Sequence, residues 1–218
     1  DGVKRTKGEL YDWLHEHNGI AFVNRDDEHL QQMCCGLPLI EYGKPGQERL
    51  SIEGEAIECN PFVKFRWRRG NGEWHIVQTT LIGAYNLDNA LAAITVGLHF
   101  GVPEDNASLA VAGYVPQNSR SQYVETGRNH LVVDAYNANP TSMMAAIDNF
   151  CKIKAQDKMV ILGDMRELGD ISQIEHKHIV DLLKERGFAQ VWLVGSEFTK
   201  AAEDSGFRLF PDVEAVKR

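Results

Sequence analysis

Leu131-Val132-Val133-Asp134-Ala135-Tyr136-Asn137-Ala138-Asn139-Pro140 is the stretch that most restricts what this chain can fold into. An uninterrupted aliphatic run stops at an aspartate, a short polar loop follows, and a helix begins. Leu131 to Val133 carry no polar alternation, the pattern of a strand buried on both faces of a parallel sheet. Pro140 suits the first turn of a helix, where its missing N–H is no loss, and Asn139 before it is a capable cap. Asp134 would then stand at the C-terminal end of a strand, where open α/β sheets place the groups that meet ligands. An ordinary strand-to-helix connection gives the same pattern, so the neighbouring segments have to decide.

Those segments repeat the rhythm. Strands over 122–126 and 130–134 flank Gly127-Arg128-Asn129 as a hairpin, and a helix follows over 141–153. The strand Met159–Leu162 runs into Gly163-Asp164-Met165-Arg166-Glu167-Leu168-Gly169, and a helix spans about Ser172–Gly187. The strand Val191–Val194 ends in Gly195-Ser196, and a further helix leads to a short strand near 207–210. Alternating strands and helices predict an α/β fold with a doubly wound, mainly parallel sheet. Its polar strand ends, at Asp134, at Asp164 with Glu167, and at Gly195-Ser196, would share one edge and line one crevice.

Upstream the pattern differs. Apolar residues at 10, 11, 13 and 14 predict a helix with Thr6 as its cap, opening so abruptly that the domain reads as cut. Ile20–Val23 reads as a strand and about Asp27–Cys35 as a helix, while 37–61 gives no clear assignment. Val63, Phe65 and Trp67 alternate with Lys64, Arg66 and Arg68, and Gly70-Asn71-Gly72 separates them from Trp74-His75-Ile76. That is a β-hairpin, and its basic face is what any half-exposed strand shows. Asn86, as N-cap, opens a long helix to His99 with Leu87, Leu91, Ile94 and Leu98 as its core stripe. Asn89 lies in its first turn. After a helix over 104–112, Tyr114-Val115-Pro116-Gln117-Asn118-Ser119-Arg120-Ser121 is a candidate domain boundary.

The 218 residues suffice for two domains, and a net charge of −8 argues against a nucleic-acid partner. No apolar run approaches the ~20 residues that cross a bilayer, and no apolar leader opens the chain, which points to a cytoplasmic setting. The four cysteines have no zinc spacing and read as reduced thiols. His176 and His178 read as surface residues. There is no Gly-x-x-x-x-Gly-Lys-Ser/Thr phosphate loop and no Gly-x-Gly-x-x-Gly opening a helix.

Three motifs in order resemble the Mur ligase family, in particular its branch that adds D-alanyl-D-alanine. They are Gly83-Ala84-Tyr85-Asn86-Leu87-Asp88-Asn89-Ala90, Asp134-Ala135-Tyr136-Asn137-Ala138-Asn139-Pro140, and Leu162-Gly163-Asp164-Met165-Arg166-Glu167-Leu168-Gly169. The first is shared with the wider folylpolyglutamate synthetase superfamily. The resemblance implies an ATP- and Mg2+-dependent ligase of peptidoglycan precursor synthesis, joining UDP-N-acetylmuramoyl-tripeptide to D-alanyl-D-alanine through an acyl phosphate. It implies residues 1–116 as the later part of a central ATP-binding domain and 117–218 as a C-terminal Rossmann-like domain with its end truncated. By the same resemblance Lys7 is a lysine carbamylated to help hold Mg2+, and Arg120 reaches ATP phosphate, although Gln117-Asn118-Ser119 replaces the usual residues before it. Asn86 and Asn89 contact adenine, and Asp134 the ribose, with Tyr136, Asn137 and Asn139 lining that pocket. Asp164 and Glu167 face the dipeptide. A monomer that binds neither nucleic acid nor membrane is implied, inactive alone because it lacks the phosphate loop. Two alternatives stay open: a sister ligase adding a single amino acid, and a non-catalytic nucleotide-binding or interaction module of the same fold.

Overall fold

A computed structural model describes residues 2–117 and 119–217, so Asn118 of the predicted boundary lies outside the described residues. The chain forms two compact units, Asp1–Val115 and Pro116–Arg218. The first opens with α1 (Gly2–Glu16), β1 (Ala21–Asn24), α2 (Glu28–Met33) and β2 (Leu39–Gly43). Next come β3 (Ile52–Cys59), β4 (Phe62–Arg69), β5 (His75–Ile82), α3 (Asn86–His99) and α4 (Glu104–Gly113). The strands make a five-stranded sheet in chain order. The β1–β2 and β2–β3 pairs are parallel, and β3–β4 and β4–β5 antiparallel. The predicted hairpin is β4–β5.

Alternation sets the core. Val63, Phe65 and Trp67 of β4 are buried together with Ile52, Val77 and the α3 residues Leu87, Leu91 and Ile94. The Trp67 indole N–H donates to Ser108 Oγ at 3.1 Å, so burying the ring strands no donor. On the opposite face two of the bases meet acids across the strand pair. Arg66 pairs with Glu55 and Arg68 with Glu53, and both guanidinium groups lie over Trp74, at 4.4 and 4.5 Å. Both arginines of the stripe are thus neutralised within their own sheet. A smaller cluster packs Tyr11 and Leu14 of α1 against Ala21 and Val23. The α1 helix already runs for a turn before Thr6, which is therefore not its cap.

The second unit holds β6 (Gln122–Glu125), β7 (His130–Val133), α5 (Pro140–Lys152), β8 (Met159–Gly163) and α6 (Ser172–Arg186). It continues with β9 (Gln190–Val194), α7 (Ser196–Ala201), β10 (Arg208–Phe210) and α8 (Val213–Val216). A parallel sheet ordered β10-β9-β8 carries the core, with Met143 and Ile147 of α5, Ile179, Val180 and Leu183 of α6, and Phe198 of α7.

One expectation fails here. β7 pairs antiparallel with β6 in a separate two-stranded ribbon, and Leu131 is 42% exposed, so this run is not a strand buried in the parallel sheet. Its helix start is as expected: Asn139 Oδ1 accepts from the Ser142 N–H at 2.9 Å, Ser142 Oγ receives the Asn139 N–H at 3.2 Å, and Pro140 opens α5. This reciprocal pair satisfies two otherwise orphaned amides. Asn139→Ala is expected to destabilise the second unit by about 1 kcal/mol, and Asn139→Asp far less, in urea denaturation followed by circular dichroism.

Candidate functional site

β8 and β9 are neighbours in a parallel sheet, so their ends share one edge. Asp164, the residue after β8, ties that edge together. Its N–H donates to Val194 O at 3.1 Å. Its carboxylate accepts from two amides of the first turn of α7, Glu197 N at 3.0 Å and Phe198 N at 2.9 Å. An anion suits a helix start, where N–H groups lack partners. The approach requires Gly195: at φ 122° a side chain is strained, and a Cβ would overlap the Asp164 carboxylate.

The loop beyond is latched from α6. His176 is completely buried and is not a surface residue as its sequence context suggested. Its Nε2 accepts from Met165 N at 3.0 Å, and its Nδ1 lies 2.7 Å from Ser172 O. An imidazole that accepts at one nitrogen and donates at the other is neutral, with the proton on Nδ1. The latched loop borders an open depression of about 470 Å³ with Arg166, Glu167, Ser172 and Glu197 on its rim. Glu167 holds φ 66°, a conformation uncommon outside glycine. Lys200 at 3.1 Å, helped by Gln173 and Ser172, holds the Glu197 carboxyl down to about 2, so this carboxylate stays charged well into acid. Asp164 is occupied by backbone, and Glu167 is left exposed.

Asp134 belongs to the other ribbon, so the three strand ends do not share one edge. The structure gathers a different set around it. Ser121 Oγ donates to Asp134 Oδ2 at 3.4 Å, the Ala135 N–H donates to Ser119 O at 2.7 Å, and the Arg120 guanidinium lies 3.8 Å over the Tyr136 ring. Arg120, Asp134 and Tyr136 thus come together. Asn137 Oδ1 accepts from the Ala138 N–H at 2.9 Å, and the Asn139 oxygen is engaged in its cap.

In the first unit, Asn86 is the first residue of α3 and not its cap, since Tyr85 precedes it in helical conformation. Its Nδ2 donates to Ile82 O at 2.7 Å, and Asn89 Nδ2 donates to Asn86 Oδ1 at 3.1 Å. The two asparagines therefore act as a linked pair at the helix start. Beside it a depression of about 550 Å³ is lined by Lys44, Glu55, Tyr85 and Asp88. Burial pushes the Asp88 carboxyl up, the Asp26 charge adds to this, and Lys44 opposes it. Asp26 fixes this corner by accepting the Lys44 N–H at 3.0 Å. Lys7 is exposed on α1, four and seven residues before the inward-packed Tyr11 and Leu14, hence on their side of the helix. Among the described residues no group of three or more His, Cys, Asp or Glu is placed to hold a metal.

Sequence reasoning missed Asp88 and the latch His176. An acid in the first turn of a helix was the available hint for Asp88. His176 had none, because only tertiary packing buries it.

Residues 1–97 match the Mur ligase middle domain, and residues 119–216 the Mur ligase, glutamate ligase domain. A UDP-N-acetylmuramoyl-tripeptide–D-alanyl-D-alanine ligase of Bacillus subtilis is 38% identical over 179 residues, covering 81% of this chain and 38% of the relative. A solved ligase from Acinetobacter baumannii, named for UDP-N-acetylmuramoylalanyl-D-glutamyl-2,6-diaminopimelate and D-alanyl-D-alanine, superposes with TM-score 0.82 at 26% identity. That match covers 100% of this chain and 48% of the other. MurF of Thermotoga maritima, solved in complex with ADP, shares the fold at TM-score 0.73 and 19% identity, over 88% of this chain and 44% of that one. The chain spans less than half the length of each.

Gly195→Ala is expected to destabilise the second unit by more than ~1 kcal/mol, through strain at positive φ and displacement of the Asp164 carboxylate. Hydrogen exchange at the Glu197 and Phe198 amides should accelerate. His176→Leu should cost about 2–3 kcal/mol, because the Met165 amide loses its buried acceptor; exchange at Met165 and a urea titration check both.

Proposed function

The chain belongs to the Mur ligase family, and from that premise we propose that it is part of a cytoplasmic UDP-N-acetylmuramoyl-tripeptide:D-alanyl-D-alanine ligase acting in peptidoglycan precursor synthesis. Residues 1–116 are read as the later part of its central ATP-binding domain and 117–218 as its C-terminal Rossmann-like domain. The observation that best supports the reading is the meeting of Arg120 and Tyr136 with Asp134 at the end of β7: a cation suited to phosphate beside an anion suited to sugar hydroxyls.

In the reaction, a carboxylate oxygen of the tripeptide attacks the γ-phosphorus of ATP, and ADP leaves. The dipeptide amine then attacks the acyl carbon, an amide forms, inorganic phosphate departs and the amine releases its proton. Each step needs charge neutralisation and orientation. The linked Asn86–Asn89 pair supplies amide edges for adenine. Asp134 accepts from the ribose, with Tyr136, Asn137 and Asn139 shaping the pocket. Arg120 takes charge on the phosphates. Glu167, on the loop fixed by Asp164, attracts the dipeptide's ammonium.

Mg2+ keeps waters and uses few protein carboxylates alongside phosphate oxygens, so a carbamate on Lys7 is a fitting single donor. When bound, the ion would neutralise phosphate charge. Lys7 reaches that role only as the carbamate, because the free ammonium is a cation.

Two outcomes test the reading. The 218-residue chain, given ATP, UDP-N-acetylmuramoyl-tripeptide and D-alanyl-D-alanine, is expected to release no phosphate above background, since it has no phosphate-loop motif to hold the γ-phosphate. Grafted in place of the matching segment of the Bacillus subtilis relative, it should support ADP formation with D-alanyl-D-alanine. Turnover in that chimera with D-glutamate or diaminopimelate instead would place it with a sister ligase.

A further inference from the structure

Arg120 is held from several sides, yet among the described residues no carboxylate or amide takes its N–H groups. Ser119 and Ser121 flank it at φ 56° and 47°, conformations that persist in non-glycine residues only where the surroundings hold them. Here the surroundings do. The Ser119 carbonyl receives the Ala135 N–H at 2.7 Å, the Ser121 hydroxyl donates to Asp134 Oδ2 at 3.4 Å, and the Tyr136 ring lies 3.8 Å from the guanidinium carbon. Backbone, side chain and ring all join the same two short segments, 119–121 and 134–136.

We propose that Tyr136 is a positioning residue that acts through Arg120. Its ring carries the guanidinium, so that the N–H edges are presented to a phosphoryl group held beside Asp134. The reasoning concerns which part of the cation is used. A ring engages the flat face of a guanidinium and leaves its five in-plane donors free, whereas a carboxylate would occupy two of them. Those free donors match a pair of phosphoryl oxygens. An arginine held by a ring, with no ion pair among the described residues, is thus ready for an anion. Tyr136 is 64% exposed, and the stacking needs only the ring, so phenylalanine should replace it. The ligand named here rests on the nucleotide reading above; the ring–cation pair does not.

Two measurements on the 218-residue chain test this. In the unliganded protein, the Arg120 Nε–Hε resonance should be shifted upfield by the ring in wild type and Tyr136→Phe, and should lose that shift in Tyr136→Leu. An unchanged resonance in Tyr136→Leu overturns the pair. In NMR titrations, the preference for ATP over adenosine should fall about fivefold in Tyr136→Leu and persist in Tyr136→Phe. In the Arg120→Met background, Tyr136→Leu should cause no further loss. A wild-type preference in Tyr136→Leu, or an equal loss in Tyr136→Phe, overturns the positioning role. If neither ATP nor adenosine binds, the nucleotide reading falls and the phosphoryl ligand with it, while the Arg120 resonance still decides the pair.

Discussion

The Asp164 carboxylate, accepting from two amides of α7 while its own amide reaches β9, is the constraint on which the edge of the second unit's parallel sheet depends. It joins the ends of two adjacent strands, and it is possible only because residue 195 has no side chain. His176 extends the same clamp from α6 to the loop. Asp164, which the family resemblance would send to a substrate, is here used to hold the rim. On the proposed reading, such rigidity serves a reaction that places an amine against an acyl carbon.

The ribbon end at Asp134 is built differently. There the strain is in the backbone on either side of Arg120, and it is offset by contacts with the loop after β7. The cation is ordered, and among the described residues no carboxylate neutralises it. The hairpin β4–β5 makes the contrast clear, since Arg66 and Arg68 each have a glutamate across the strand pair. Basic residues that look alike in the sequence therefore differ in availability, and the difference decides which can meet a phosphate.

Much of this was legible beforehand where one periodicity governs one element. The alternation from Val63 to Trp67, the stripe Leu87-Leu91-Ile94 and the Asn139-Pro140 helix start each depend on near neighbours. β3 was not legible, because Gly54 sits between two glutamates in a strand whose acids pair across to β4. β7 was misplaced because an aliphatic triplet looks the same in an exposed ribbon as in a parallel sheet, and only pairing partners separate the two. Asn86 has the composition of a cap, but Tyr85 before it is already helical. At the candidate site the resemblance singled out Arg120, Asp134 and Tyr136, which the fold brings together. The occupation of Asp164 and the burial of His176 follow from long-range packing that no local pattern encodes.

The central proposal, that the loop around Asp134 meets a nucleotide, is tested most directly by titrating ATP into the isotopically labelled chain and following its amide resonances. The account predicts perturbations at residues 119–121 and 134–137, with β4 and β5 unmoved. Perturbations confined to the Arg66–Arg68 face of the hairpin, or to the depression bordered by Glu167, would contradict it.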